Sequence, residues 1–194
     1  TIDATTVAVS ISVGVNGGTL GLSGAMGMAS AENEITGLSE AVIDDSDVTA
    51  GGNISVNALD GASITSDVVA AAISASVSSS VSGSISVAVS LSENRLGGQS
   101  LARIENATVT ANGGGSDVVV GADSANDIDA VAVAASMSLS GSGTLAIAAG
   151  GSGTDSRNVL TNVVAADVIG STVTAGDDVR VTSDDTSTID AASV

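Results

Sequence analysis

The chain repeats itself, and this repeat constrains its fold more than any other feature. The segment Ala41–Ala50 returns with substitutions as Ala102–Ala111 and again as Ala166–Ala175. The second spacing is longer than the first, and its three extra residues lie in the stretch Asn112–Gly115. A period of about 61 residues indicates a solenoid, propeller or array, in which each unit buries its apolar face against its neighbours.

The chain also ends in the phase in which it begins. Thr1–Ala4 reads Thr-Ile-Asp-Ala, as does Thr188–Ala191, and Ile64 and Ile128 occupy the equivalent positions between them. We therefore expect one continuous solenoid fragment of a longer array, made of three tandem repeats and the start of the next. The repeats are predicted at approximately 2–63, 64–127 and 128–188.

Alternation predicts strands throughout the unit. From Ile73 to Ser92 one phase holds Val, Ile, Leu, Ala and Gly apart from Ser79, while the other holds Ser at every position except Ala88. A period of two indicates β-strands, and a bend at Ser79–Gly83 is expected to divide the segment. Shorter strands are predicted at Asp47–Ala50 and Ile54–Ala58, between turns rich in Gly and Asp.

These patterns predict an all-β chain, with no significant helix, folded as a parallel β-solenoid or β-helix. Coils of about 20 residues would give about three coils per 61-residue repeat. The whole rod would then be about 45 Å long at a strand spacing of about 4.8 Å. Val, Ile, Leu and Ala are expected to point inward. A Greek-key β-sandwich is the alternative, and the tandem period and the lack of aromatic residues favour the solenoid.

Composition excludes most catalytic and nucleic-acid-binding classes. Cys, His, Lys, Phe, Tyr and Trp are all absent, so thiolate and imidazole chemistry and ordinary zinc sites are excluded. With 22 acidic against 4 basic residues, the net charge is −18, which repels nucleic acid and anionic lipid. No run of apolar residues is long enough to span a bilayer, and membrane insertion is not expected. A polysaccharide-active β-helix enzyme is the less favoured alternative, since aromatic sugar platforms are missing; we expect no enzyme.

Acidic turns are the candidate cation sites. The segment Gly150–Asp155 matches the Gly-Gly-x-Gly-x-Asp unit of calcium-binding β-rolls once, although such rolls need consecutive copies. Asp pairs could also chelate a divalent cation, while Asp is equally an ordinary turn residue. No cofactor is required, and calcium is the ion that these turns could bind. The weak metal candidates are Asp44, Asp45, Asp155, Asp177 and Asp178.

The serine phase of the alternating segments forms a flat face of small side chains. Such faces can approach each other closely, as stacked sheets do, so we predict that this face packs against another rod or another layer of the same chain; a solvated Ser surface is the alternative. Thr108–Thr110 and Thr172–Thr174 also resemble the Thr-x-Thr rows of ice-binding solenoids, on only one coil in three if each repeat makes three coils. The predicted lateral-packing face comprises Ser74, Ser76, Ser78, Ser82, Ser84, Ser86, Ser136, Ser138 and Ser140.

The stretch Ala41–Ala58, followed by the Ile64 strand and a run of small residues, resembles the repeats of giant secreted bacterial filamentous adhesins, of the leukotoxin and filamentous-haemagglutinin type. The resemblance implies a secreted right-handed parallel β-helix that is displayed on or released from a bacterial cell surface. We therefore expect a structural segment of an extracellular filament shaft, adhesin stalk or biofilm matrix fibre, acting in attachment or cell-cell contact. Self-association, lateral or end to end, and a cell-surface or glycan receptor are the expected partners. A cation-, ice- or glycan-binding solenoid is the alternative function.

Overall fold

The computed structural model describes residues 1–194 and contains thirteen β-strands and no helix. The strands form four parallel sheets, in the orders β1-β5-β9-β13, β2-β6-β10, β3-β7-β11 and β4-β8-β12. The predicted all-β parallel solenoid is confirmed. In chain order the strands are β1 (Ile2–Asn16), β2 (Leu20–Asp44), β3 (Asp47–Ala50), β4 (Ile54–Asp60), β5 (Ser63–Ser78), β6 (Val81–Glu105), β7 (Thr108–Ala111), β8 (Val118–Ser124), β9 (Asp127–Gly141), β10 (Leu145–Ile169), β11 (Thr172–Ala175), β12 (Val179–Asp185) and β13 (Thr188–Ser193).

Each repeat makes a single large coil of four strands. Ile2 pairs with Ile64, Ile64 with Ile128, and Ile128 with Ile189, so equivalent residues of successive repeats lie on neighbouring strands. The prediction of about three coils per repeat is therefore wrong. An alternating pattern identifies a strand but not the strand with which it pairs. The strands are as long as 25 residues, so one coil of four strands contains the whole repeat. The stack is about 15 Å long at the usual strand spacing.

The coil turns a left-handed corner at the same position in every repeat. The residue after β2, β6 and β10 adopts the left-handed conformation, with φ of 45° at Asp45, 48° at Asn106 and 61° at Gly170. Asp, Asn and Gly are the residues that tolerate this conformation. The Asp45 amide donates to the Glu105 carbonyl and the Asn106 amide to the Ile169 carbonyl, so the corners stack from coil to coil.

We call residues 4–31, 68–92 and 130–154 the fin, and the rest of the chain the body. The body holds the main apolar core, in which Ile104, Val109, Val118 and Val120 are fully buried. The inward placement predicted for Val, Ile and Ala is correct here. Burial of each such side chain contributes about 1.5–3 kcal/mol relative to exposure.

In the fin, each coil runs away from the body along one strand and returns along the next. β5 ends at Ser78 and β6 begins at Val81, which confirms the predicted bend. The two strands face each other: the Ser90 hydroxyl donates to the Val68 carbonyl at 2.8 Å. Near the base of the fin the two sheets pack through small residues, namely Ala25, Ala29, Ala70, Ala72, Ala88 and Ala134 together with Val68.

The two phases of the fin have the opposite orientation to the one predicted. Ser74 and Ser86 are completely buried, whereas Ile85 is 60% exposed. The inward placement of the apolar phase is therefore wrong in the fin. The gap between the sheets explains the inversion, because a Cβ added to Gly27 would lie 2.5 Å from the Ala71 carbonyl oxygen. Only the smallest side chains fit between sheets this close together.

Candidate functional site

The nine serines of the predicted packing face lie between the two sheets of the fin. Hydroxyl pairs join Ser82 to Ser140 at 2.6 Å and Ser86 to Ser138 at 2.8 Å. The members on β5 and β6 are buried. Ser136, Ser138 and Ser140 on β9 are half-buried, because β13, the neighbour of β9 on the side away from β5, pairs with it only as far as Ala132. These serines therefore contact another layer of the same chain and are not exposed to a second rod.

The serine interior is closely packed but not fully hydrogen-bonded. The hydroxyls of Ser23, Ser76, Ser84 and Ser142 are buried without a partner. A buried hydroxyl without a hydrogen bond costs about 1–3 kcal/mol. The stability of the fin must therefore come from its backbone ladders and from the burial of its interior, and not from serine pairing alone.

The bulky apolar residues of the fin form its two outer faces. The outgoing face lies on β1, β5 and β9, and the return face lies on the fin parts of β2, β6 and β10. At a height of about eleven residues and a width of three strands, each face covers about 500 Å². A patch of this size is as large as the largest on a typical monomer, where such patches often take part in binding, and here there are two. The exposed large residues are Val7, Val9, Ile11, Val13, Val15, Ile73, Val77, Met137 and Leu139 on the outgoing face, and Leu20, Leu22, Met26, Met28, Ile85, Leu91, Leu145 and Ile147 on the return face.

Both faces carry apolar hollows between these side chains. On the return face, Leu22, Ile85 and Ile147 surround a hollow of about 310 Å³ at Gly83. On the outgoing face, Ile73 and Met137 border one of about 410 Å³. When two sheets pack face to face, the projecting side chains of one sheet enter hollows of this kind in the other.

All the charged residues, 22 acidic and 4 basic, lie on the body, and none lies in the fin. The molecule is thus amphipathic as a whole, with an acidic body and an uncharged apolar fin. At the base of the fin, the Arg95 guanidinium contacts the Glu93 carboxylate at 2.6 Å, and Arg157 approaches it at 3.6 Å. The hydrogen bond from Arg95 lowers the pKa of Glu93. These groups are largely exposed, so the ion pairs contribute little to stability.

A ladder of buried amides joins the coils where the fin meets the body. The Asn33 side chain donates to the Asn94 amide oxygen at 2.8 Å, and Asn94 donates to Asn158 at 2.7 Å. Stacked amides of this kind satisfy one another and reinforce in-register strands. Sequence reasoning missed this ladder, although the recurrence of Asn at the spacing of the repeat was a signal that could have revealed it.

The candidate cation ligands fall at three separate places in the chain, two adjacent pairs and the single Asp155. Asp44 ends β2 and Asp45 occupies the left-handed corner, while Asp177 and Asp178 lie in the turn before β12. No group of three or more acidic side chains comes together in a metal-binding arrangement. Asp155 lies inside β10, so Gly150–Asp155 is part of a strand. It is not a turn, as the comparison with calcium-binding β-rolls had assumed. Calcium binding stays a prediction.

The Thr-x-Thr motif occurs at the same place on two successive coils, and the first coil has Asp47-Val-Thr49 there. Thr108 pairs with Asp47 and with Thr172 on neighbouring strands. Thr110 pairs in the same way with Thr49 and Thr174. The expectation that only one coil in three carries the motif is wrong, because each repeat is one coil. The Thr side chains point outward and the intervening valines inward, which gives a regular hydroxyl grid broken only at Asp47.

No protein family model matches the chain, and neither a curated protein nor a solved structure matches it. The structure also contains no helix of the length and apolar character needed to cross a membrane. The parallel solenoid architecture rests on the strand pairing alone.

Proposed function

We propose that the chain is a structural segment of a very long secreted or cell-surface bacterial protein, forming the shaft of a filament, an adhesin stalk or a matrix fibre. The observation that carries this proposal is the in-register pairing of every strand of one repeat with its counterpart in the next. A further repeat can be added to such a stack through the same four ladders. Repetition then lengthens the rod without changing its cross-section.

The mechanical role follows from the direction of the hydrogen bonds. Backbone N–H and C=O groups of stacked parallel strands point along the rod, so four ladders share any tension applied along it. The amide ladder at Asn33, Asn94 and Asn158 adds side-chain bonds in the same direction. The net charge of −18 keeps separate bodies apart in solution. Attachment through a cell-surface or glycan receptor, outside the cell, belongs to this proposal.

Small-angle scattering of this chain, and of tandem fusions of two and four copies, tests the rod. A stack grows by about 4.8 Å per coil, so each added copy should lengthen the particle by about 15 Å. The radius of gyration of the cross-section should stay constant. A cross-section that widens with each copy would show that the units fold as separate compact bodies, and the shaft proposal would fail.

Ice binding is a second candidate function, favoured by the in-register threonine grid. Hydroxyls two residues apart on one strand are about 6.7 Å apart, and neighbouring strands are about 4.8 Å apart. Such a flat, repeating array can hold a layer of ordered water. Thr110→Lys should abolish inhibition of ice recrystallisation, and Asp47→Thr, which completes the grid, should strengthen it. If neither the chain nor its Asp47→Thr variant inhibits recrystallisation, the grid does not bind ice.

A further inference from the structure

The apolar fin requires a partner that can cover both of its faces. On the middle strand β5 of the outgoing face, Ile73 and Val77 are 37% and 52% exposed, and on the edge strand β1 the exposure rises to 79% at Val15. The return face has the same character at Leu22 and Ile85, which are 70% and 60% exposed. No segment of the chain lies over either face, as the exposure of these side chains shows.

The size of these faces and their hollows suit another β-sheet. Two faces of about 500 Å² in contact bury about 1,000 Å², which is the lower limit for a specific protein interface. Sheets pack face to face about 10 Å apart, with side chains of one entering hollows of the other. The return face has such a hollow between Leu22, Ile85 and Ile147, and the outgoing face has projecting side chains from Val7 to Val15.

A lipid bilayer fits the fin less well. A stack of parallel strands is an open sheet however many coils it contains, and its edge strands would expose unpaired N–H and C=O groups to hydrocarbon. The fin also lacks the Trp and Tyr residues that anchor proteins at membrane interfaces. These features favour a protein partner over lipid.

The charge distribution indicates that the partner is a second copy in the opposite orientation. Two fins side by side with their bodies at the same end would bring two strongly acidic bodies together. With the bodies at opposite ends, the fin height of about 35 Å separates them. This distance is several times the Debye length of about 8 Å at physiological ionic strength. Each fin then meets another uncharged apolar fin, and the repulsion between bodies is screened.

We propose that the outgoing and return faces of the fin pack, sheet on sheet, against fins of further copies of this chain, with the bodies alternating in direction. Because each fin has two such faces, the contact is open-ended and joins shafts into layers or bundles. This inference rests on the proposed function and names the partner of the shaft as a second shaft.

Sedimentation velocity of the chain over a range of concentrations tests the proposal. The wild-type chain should associate, and Ile73→Lys combined with Ile85→Lys, one charge on each face, should weaken association at least tenfold. Leu59→Lys is the matched control, because Leu59 is also exposed, at 69%, but lies on the body. It should sediment like the wild type. Circular dichroism checks that all the variants keep their β-structure.

Ile73→Thr with Ile85→Thr keeps β-branching and repeats the test should the lysines unfold the chain. A wild-type chain that stays monomeric, or a fin variant that associates like the wild type, would overturn the proposal. Flotation with neutral phosphatidylcholine vesicles that is lost in the fin variant would also overturn it and would assign the fin to lipid. The scattering experiment on tandem copies does not depend on these contacts, so rods that fail to associate would leave the shaft proposal standing.

Discussion

Replacing Gly27 by alanine should destabilise the chain, because it places one methyl group between the two sheets of the fin. The added Cβ would lie 2.5 Å from the Ala71 carbonyl oxygen and 3.1 Å from its carbonyl carbon. Neither is a flexible side chain, so the sheets must separate locally. Overpacking of this kind costs about 1–3 kcal/mol. In a chain of this length, that lowers the melting temperature by about 2–12 °C.

Gly24→Ala is the matched control. Gly24 lies on the outer side of the same strand, and a Cβ there would have only the Ile85 carbonyl oxygen nearby, at 3.9 Å. Alanine should be tolerated at this position and should stabilise the chain by up to about 1 kcal/mol through the unfolded state. Urea denaturation of both variants measures the difference. Equal stability, or a less stable Gly24→Ala variant, would refute the close approach of the sheets and the orientation assigned to the two phases.

Three further predictions concern the buried polar groups and the charge of the body. Ser84→Ala should raise the melting temperature because it removes a hydroxyl without a partner, whereas Ser86→Ala should lower stability by about 1 kcal/mol through loss of its bond to Ser138; equal effects in thermal melts would contradict the placement of these hydroxyls. Asn94→Ala should cost about 1–3 kcal/mol in chemical denaturation, since it removes the acceptor of the buried Asn33 amide and the donor to the half-buried Asn158 amide, and a neutral effect would argue against the ladder. Lowering the pH from 7 to about 4 protonates about half of the carboxylates and weakens the repulsion between bodies, so sedimentation should show stronger association; the hydrogen bond from Arg95, which lowers the pKa of Glu93, makes this group keep its charge to a lower pH than an unpaired Glu. Unchanged or weaker association at low pH would show that repulsion between bodies does not limit the contact.

The strands could be predicted from the sequence because alternation is a local pattern, and the period of the repeat can be read by comparing the chain with itself. The alternation at Ile73–Ser92 and the recurrence of Ile2 at Ile64 are visible without knowing any contact. The number of coils was not predictable in the same way, since pairing is a long-range choice. A repeat that winds three short coils and a repeat that winds one large coil satisfy the same alternation.

The inversion of the fin has a different cause. An alternating pattern does not say which of its two sets of side chains faces the interior. Hydrophobicity alone predicted that the apolar set does, and this is wrong in the fin. Interior volume decided the orientation, as the close contact at Gly27 shows. One signal was present: residues 68–92 contain no charge at all, whereas a serine face exposed to water would ordinarily include charged residues.

Disulfide formation between Thr108→Cys and Thr172→Cys would test the central claim, that one repeat is one coil, most directly. The chain has no cysteine of its own, and both positions are exposed and directly paired on β7 and β11. At one coil per repeat their backbones are about 4.8 Å apart, within the range that a disulfide can bridge. At three coils per repeat they would be about 14 Å apart, beyond the limit of about 7 Å. We predict an intramolecular cross-link under mild oxidation, detected by mass spectrometry, and its absence in a folded protein would contradict the account.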